Sequence, residues 1–141
     1  CHMNKSGAQV AHLAGVEAIT DVTGFGLMGH LLEVCEGSGV NAILYEQQIP
    51  VLAQVRDYIA QGCLPGGTTR NLESYGEKLA PLTDEQRAVL CDPQTSGGLL
   101  IAVQPEHAAA LELVLKAGGV HAQPIGELIA AREDYRIEVR A

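Results

Sequence analysis

The chain has 141 residues, 47% of them apolar, with one Phe, four Tyr and no Trp, so a single domain packed on aliphatic and alanine contacts is expected and a disordered chain is excluded. Nine basic against seventeen acidic side chains give a net charge of −8, which excludes a surface made for nucleic-acid backbones or for an anionic membrane. No apolar run reaches membrane-spanning length and no secretory leader pattern is visible, so a cytoplasmic protein without membrane contact is expected.

The opening lacks an initiator-like start and begins inside what reads as a helix, with Met3, Val10 and Leu13 at helical spacing and Gly15 as its stop. The chain is therefore expected to be a fragment. Val16 to Val22 reads as a strand with Val16, Ala18, Thr20 and Val22 on one face. An amphipathic helix follows, burying Leu27, Met28, Leu31, Leu32 and Cys35 and ending at Gly37-Ser38-Gly39. Val40 to Tyr45 is a second strand. Pro50 suits the first turn of a helix that turns Val51, Leu52, Val55 and Ile59 inward and closes at Gly62.

Residues 64–71, with Pro65, Gly66 and Gly67, read as a loop. Thr83 and Gln86 form a capping box for a short helix through Leu90. A second polar, glycine-rich loop, 91–98, leads into an apolar strand, Leu99 to Val103. Pro105 opens a helix with Ala108, Leu111, Val114 and Leu115 as its stripe and Gly118 as its cap. Val120 to Ile129 reads as extended with an interruption at Gly126, and Tyr135, Ile137 and Val139 alternate in a last strand. Helices alternating with strands over hairpin-length connections predict an α+β domain, a mixed and mainly antiparallel sheet covered by helices.

Cysteines at 1, 35, 63 and 91 lie too far apart for a zinc knuckle or a Cys-x-x-Cys pair. Cys35 reads as core, and Cys63 and Cys91 as buried small hydrophobes, all four as reduced thiols. Neither a dinucleotide-binding Gly-x-Gly-x-x-Gly with its downstream acid nor a Walker-type loop is present.

The chemistry concentrates where the first strand ends. Asp21 is followed by Thr23, Gly24 and Gly26 at the start of a helix. Helix N-termini carry unpaired N–H groups and a partial positive charge, and glycine admits a phosphate close to the backbone. An adjacent carboxylate is suited to the Mg²⁺ that bridges phosphate oxygens. The same residues also serve as a helix cap and a tight turn. Both readings stand on local pattern.

Three motifs stand together: Thr20-Asp21-Val22-Thr23-Gly24-Phe25-Gly26-Leu27-Met28-Gly29-His30, then Pro65-Gly66-Gly67-Thr68-Thr69-Arg70-Asn71, then Leu90-Cys91-Asp92-Pro93-Gln94-Thr95-Ser96-Gly97-Gly98-Leu99-Leu100. In this order they resemble the C-terminal half of the bacterial selenophosphate synthetase (selenide, water dikinase) family, from about Met3 to the end and including Ile125-Gly126-Glu127. The resemblance implies an aminoimidazole ribonucleotide synthetase-like C-terminal domain, 1–141, in an enzyme that turns ATP, selenide and water into selenophosphate, AMP and phosphate with Mg²⁺. It implies Asp21 as a metal ligand beside aspartates of an N-terminal domain, which also builds the homodimer and carries the reactive cysteine or selenocysteine, its lysine and the nucleotide loop.

None of those N-terminal features is in this chain. No catalytic residue is therefore assigned, and the domain by itself is expected to be inactive. Thr23, Gly24 and Gly26 are the candidate phosphate contacts. Phe25 and His30 read as packing, Asp92 as a turn residue, Arg70 as solvated, and Gln94 to Gly97 as either the rim of the site or a structural loop. The alternatives are a non-catalytic packing and assembly module of the same enzyme, or the corresponding domain of a related hydrogenase-maturation, purine-synthesis or thiamine-phosphate kinase. The second and third motifs fit those relatives poorly.

Overall fold

A computed structural model describes Asn4 and residues 6–141. Met3 and Cys1 lie outside the described residues. The elements run α1 (Ser6–Val10), β1 (Val16–Asp21), α2 (Gly26–Ser38), β2 (Val40–Tyr45), α3 (Val55–Ala60), α4 (Gly66–Tyr75), α5 (Asp84–Leu90), β3 (Leu99–Val103), α6 (Ala108–Ala117), β4 (Gly126–Ala130) and β5 (Ile137–Arg140). The fold is α+β, as expected.

The strands divide between two sheets. β1 pairs with β3 antiparallel, while β2 is the middle strand of a second sheet, antiparallel to β4 and parallel to β5. The larger core lies between this second sheet and α2. Met28, Leu31, Leu32 and Cys35 from α2 meet Ala42 and Leu44 of β2, Ile137 of β5, and Tyr75, Leu79, Leu82, Leu90 and Cys91 from the middle of the chain. Each fully buried side chain of this size, Met28 among them, contributes about 1.5–3 kcal/mol over an exposed one. A smaller cluster joins Val10 of α1 and Leu111 and Leu115 of α6 to the face of the β1–β3 ribbon.

Local signals act as expected at several ends. Gly39 takes a left-handed φ of 66° and closes α2, so the helix runs through Gly37 and Ser38 before it stops. At α5 both halves of the capping box form, Gln86 N to Thr83 Oγ1 at 3.1 Å and Thr83 N to the Gln86 side chain at 2.9 Å.

Five expectations are corrected. A bulge between Val16 and Ala18 shifts the β1 register, so Val16 and Ile19 share a face with Ile101 and Val103, rather than Val16 with Ala18 and Thr20. The helix expected from Pro50 shrinks to α3, and Leu52, 78% exposed, turns outward. Cys63 is exposed instead of buried. The extended stretch from Val120 is strand only from Gly126, a position that needs glycine because a Cβ there would strike the Ile43 carbonyl of β2. The last strand begins at Ile137, leaving Tyr135 exposed.

The sixth departure matters most for function. Residues 66–75, read as a loop up to Asn71, form α4. Pro65 stands at its N-cap in extended conformation, and Gly66 and Gly67 occupy the first turn, where glycine's weak helix propensity is least damaging.

Candidate functional site

The three motifs meet at the end of β1. Asp21 is the last β1 residue, opposite Leu99 of β3, and its side chain is exposed. The chain then leaves the ribbon, with Val22 N donating to Gly98 O at 2.9 Å. Gly97 lies so close to the Val22 carbonyl that no Cβ fits between them. The loop 91–98 thus rests directly on the first motif.

Gly26 tightens the contact. Its φ is +70°, and a Cβ there would stand 2.8 Å from the Cys91 carbonyl carbon and 2.9 Å from the Asp92 oxygen. Only glycine suits both the conformation and the approach. Its N–H donates to Thr23 O at 3.0 Å, and the residue is buried. Gly26 therefore packs against the second loop, and its one N–H is taken up within the turn.

α4 supplies the clamp. Asn71, buried, donates from Nδ2 to Gly24 O at 3.0 Å and to Cys91 O at 2.9 Å, tying two motifs with one amide. Tyr75 donates to Phe25 O at 2.6 Å. Burial raises the Tyr75 hydroxyl far above the ordinary phenol range and keeps it a donor. Gly67 touches the Pro93 ring, at 2.6 Å from where its Cβ would be. Gln94 N donates to Thr23 O at 3.0 Å, while its side chain donates to Asp92 Oδ2 at 2.6 Å. Burial lifts the Asp92 carboxyl above its ordinary value, and the Gln94 amide pulls it partly back.

Asn71, Tyr75 and Pro93 are the residues that sequence reasoning missed. Thr68, Asn71 and Tyr75 do recur at the 3–4 spacing of a buried helix face, and all three are buried. The glycines and threonines before them masked that signal as a turn.

Inside this frame the candidates separate. The Asp21 carboxylate has no hydrogen bond or ion pair to another described residue. Thr23 is half-buried, with its hydroxyl 3.1 Å from His30 Nε2. Gly24 is exposed, has no left-handed φ, and would meet nothing within 4 Å if it carried a Cβ, so the fold itself does not require glycine there. His30 is buried and packs as expected. Phe25 does not: its ring lies 5.6 Å from the His30 ring but is 54% exposed. Arg70, Thr95 and Ser96 are exposed, and Gln94 is taken up by the loop contacts just described.

An exposed carboxylate without a partner among the described residues is a hard oxygen ligand of the kind Mg²⁺ takes, and so Asp21 fits that ion. Among the described residues no three His, Cys, Asp or Glu side chains gather into a metal site. Burial pushes the Cys35 thiol up to about 11 and raises Cys91 as well, which makes both poor nucleophiles. Among the described residues no helix is long and apolar enough to cross a membrane.

The family model for AIR synthase related protein, C-terminal domain, matches residues 3–138. The chain belongs to this family. It is 56% identical over 131 residues, 93% of its length, to the selenide, water dikinase of Yersinia pseudotuberculosis, and 52% identical over 141 residues, 99% of its length, to that of Haemophilus influenzae. These matches span 38% and 41% of those two proteins, so the chain corresponds to about two-fifths of the length of the relatives it matches. The crystal structure of HypE from E. coli shares the fold, with a TM-score of 0.61 at 20% identity over 99% of this chain and 36% of that one.

Proposed function

We propose that this chain is the C-terminal domain of a two-domain, homodimeric, cytoplasmic enzyme that makes selenophosphate, AMP and phosphate from ATP, selenide and water. This reading is supported by the relatives at 52–56% identity, which are named selenide, water dikinase. The chain's own contribution is one metal-binding carboxylate and part of the phosphate site, and it does not catalyse the reaction alone. The observation that carries this reading is Asp21: an exposed carboxylate without a partner among the described residues, at the rim of the cluster where all three motifs meet.

Asp21, with carboxylates from the other domain, would hold the Mg²⁺ that neutralises charge on the nucleotide phosphates. Gly24 admits a phosphate oxygen to the backbone, which explains a glycine that the fold does not need. Asn71, Tyr75 and Gln94 fix the loop through its carbonyls, so its N–H groups are held in place before substrate arrives.

The test is Asp21→Asn and Gly24→Ala in the full-length protein, read as selenide-dependent AMP release. A loss on the order of a hundredfold for Asp21→Asn is expected, with unchanged thermal unfolding for both variants. Turnover close to the parent's at ordinary Mg²⁺ would remove the assignment.

Phe25 favours a second reading. A large exposed aromatic beside the site suits contact with another domain, and hence a cover and assembly module. Full activity in Asp21→Asn together with failed assembly in Phe25→Ser selects that reading.

A further inference from the structure

Behind Thr23 stands a short hydrogen-bonded chain. His30 is 7% exposed and sits one turn into α2, with its Nε2 3.1 Å from Thr23 Oγ and its Nδ1 3.1 Å from Glu33 Oε2. The Phe25 ring covers the imidazole at 5.6 Å, tilted by 48°. For a neutral His30 and an ionised Glu33, donor and acceptor counting sets the direction of each bond. An ionised carboxylate only accepts, so the proton shared with Glu33 belongs to Nδ1. A neutral imidazole has one N–H, which makes Nε2 an acceptor, and the Thr23 hydroxyl must then donate to it.

The consequence concerns what Thr23 offers to a ligand. Its single proton points back at His30, and only oxygen lone pairs remain for anything outside. A phosphate oxygen has no proton to give and is repelled by such a site. A cation, or a water polarised by one, is the matching partner. Mg²⁺ on a nucleotide keeps several of its waters, and their protons need acceptors. Resting on the proposed Mg²⁺ role of Asp21, we infer that Thr23 is an acceptor for a magnesium-bound water, and that His30 and Glu33 are positioning residues that hold its hydroxyl in that sense. Thr23 thereby moves from phosphate donor to the outer shell of the metal, two residues along the chain from the carboxylate that would bind it. It is a specificity device: the site selects the metal-loaded nucleotide over the free anion.

The experiment uses the full-length protein. Mn²⁺ replaces Mg²⁺, and its affinity in the presence of ATP is read by electron paramagnetic resonance. Thr23→Val, which keeps the shape and removes the acceptor, is expected to weaken Mn²⁺ binding by about 10–100-fold. Thr23→Ser should restore most of it. Glu33→Gln releases the tautomer constraint from an exposed position, so the fold survives, and a smaller weakening is expected. Imidazole ¹⁵N shifts of His30 in the same protein should show the proton on Nδ1. The inference is overturned if that proton is on Nε2. It is equally overturned if Thr23→Val leaves Mn²⁺ affinity intact and raises the KM for ATP at saturating metal, the behaviour of a phosphate donor. Unchanged Mn²⁺ binding in Asp21→Asn overturns this inference and the reading beneath it together, whereas failure of Thr23→Val alone leaves the Asp21 reading standing.

Discussion

Gly26 and Gly62 both hold a left-handed backbone, with φ of +70° and +79°, yet one is enclosed and the other open. Around Gly26 the backbone of Cys91 and Asp92 fills the place a Cβ would take. Around Gly62 nothing lies within 4 Å, and its neighbours Leu52, Tyr58 and Leu64 are all more than half exposed. In the sequence both are glycines at the end of an element, Gly26 where a helix begins and Gly62 where one closes. The difference is in who packs against them. The first turn is held by two other motifs through carbonyl contacts, while the second is held only by its own short helix. The proposed site, which would present a carboxylate and a phosphate-admitting loop in one geometry, is better built on the enclosed turn.

That contrast can be broken in order of size. Gly26→Ala combines left-handed strain of about 1–2 kcal/mol with overpacking of about 1–3 kcal/mol. Urea unfolding should show a loss of about 3 kcal/mol or more, against about 1 kcal/mol for Gly62→Ala, where strain acts alone. Equal losses would mean that the motif contact adds nothing to the turn.

Next comes the clamp. Asn71→Ala leaves the carbonyls of Gly24 and Cys91 without their shared donor. A loss of about 2–3 kcal/mol is expected, whereas Leu52→Ser on the open segment should stay within about 0.5 kcal/mol. Hydrogen exchange would sharpen the result, because Asn71→Ala should loosen residues 91–98 and the turn at 23–26 together.

The smallest effect is electrostatic. Asp92 has its carboxyl raised above the ordinary 3.8 by burial, so the folded state holds the proton more tightly than the unfolded chain. Its stabilising share is complete below that value and is lost as pH rises through the folded pKa. Asp92→Asn should therefore match the parent in acid and gain on it toward neutral pH, as read by thermal melts across that range. A gap that closes on the way up would reverse the assigned cause.

These tests bear on how far the chain could be read before it was folded. Where a residue's fate depends on neighbours three or four positions away, the pattern was legible: the apolar stripe of α2, its stop at Gly39, the capping box at Thr83 and Gln86, and the strand from Val40 to Tyr45. Asp21 was legible for the same reason, as a carboxylate at the end of a strand and ahead of a glycine turn. The bulge that turns Val16 to the side of Ile19 was not, because it depends on the register with Val103, far along the chain.

The same holds for α4. By local propensity, Gly66 to Thr69 are poor helix formers, and the sequence by itself determined a loop there. Only the tertiary structure decided otherwise, because Asn71 finds two carbonyls and Tyr75 a third on loops 20 to 50 residues away. Local order is settled by short-range sterics and hydrogen bonds that any window of sequence contains. The meeting of three motifs is settled by buried polar groups that must find partners, and those partners lie elsewhere in the chain.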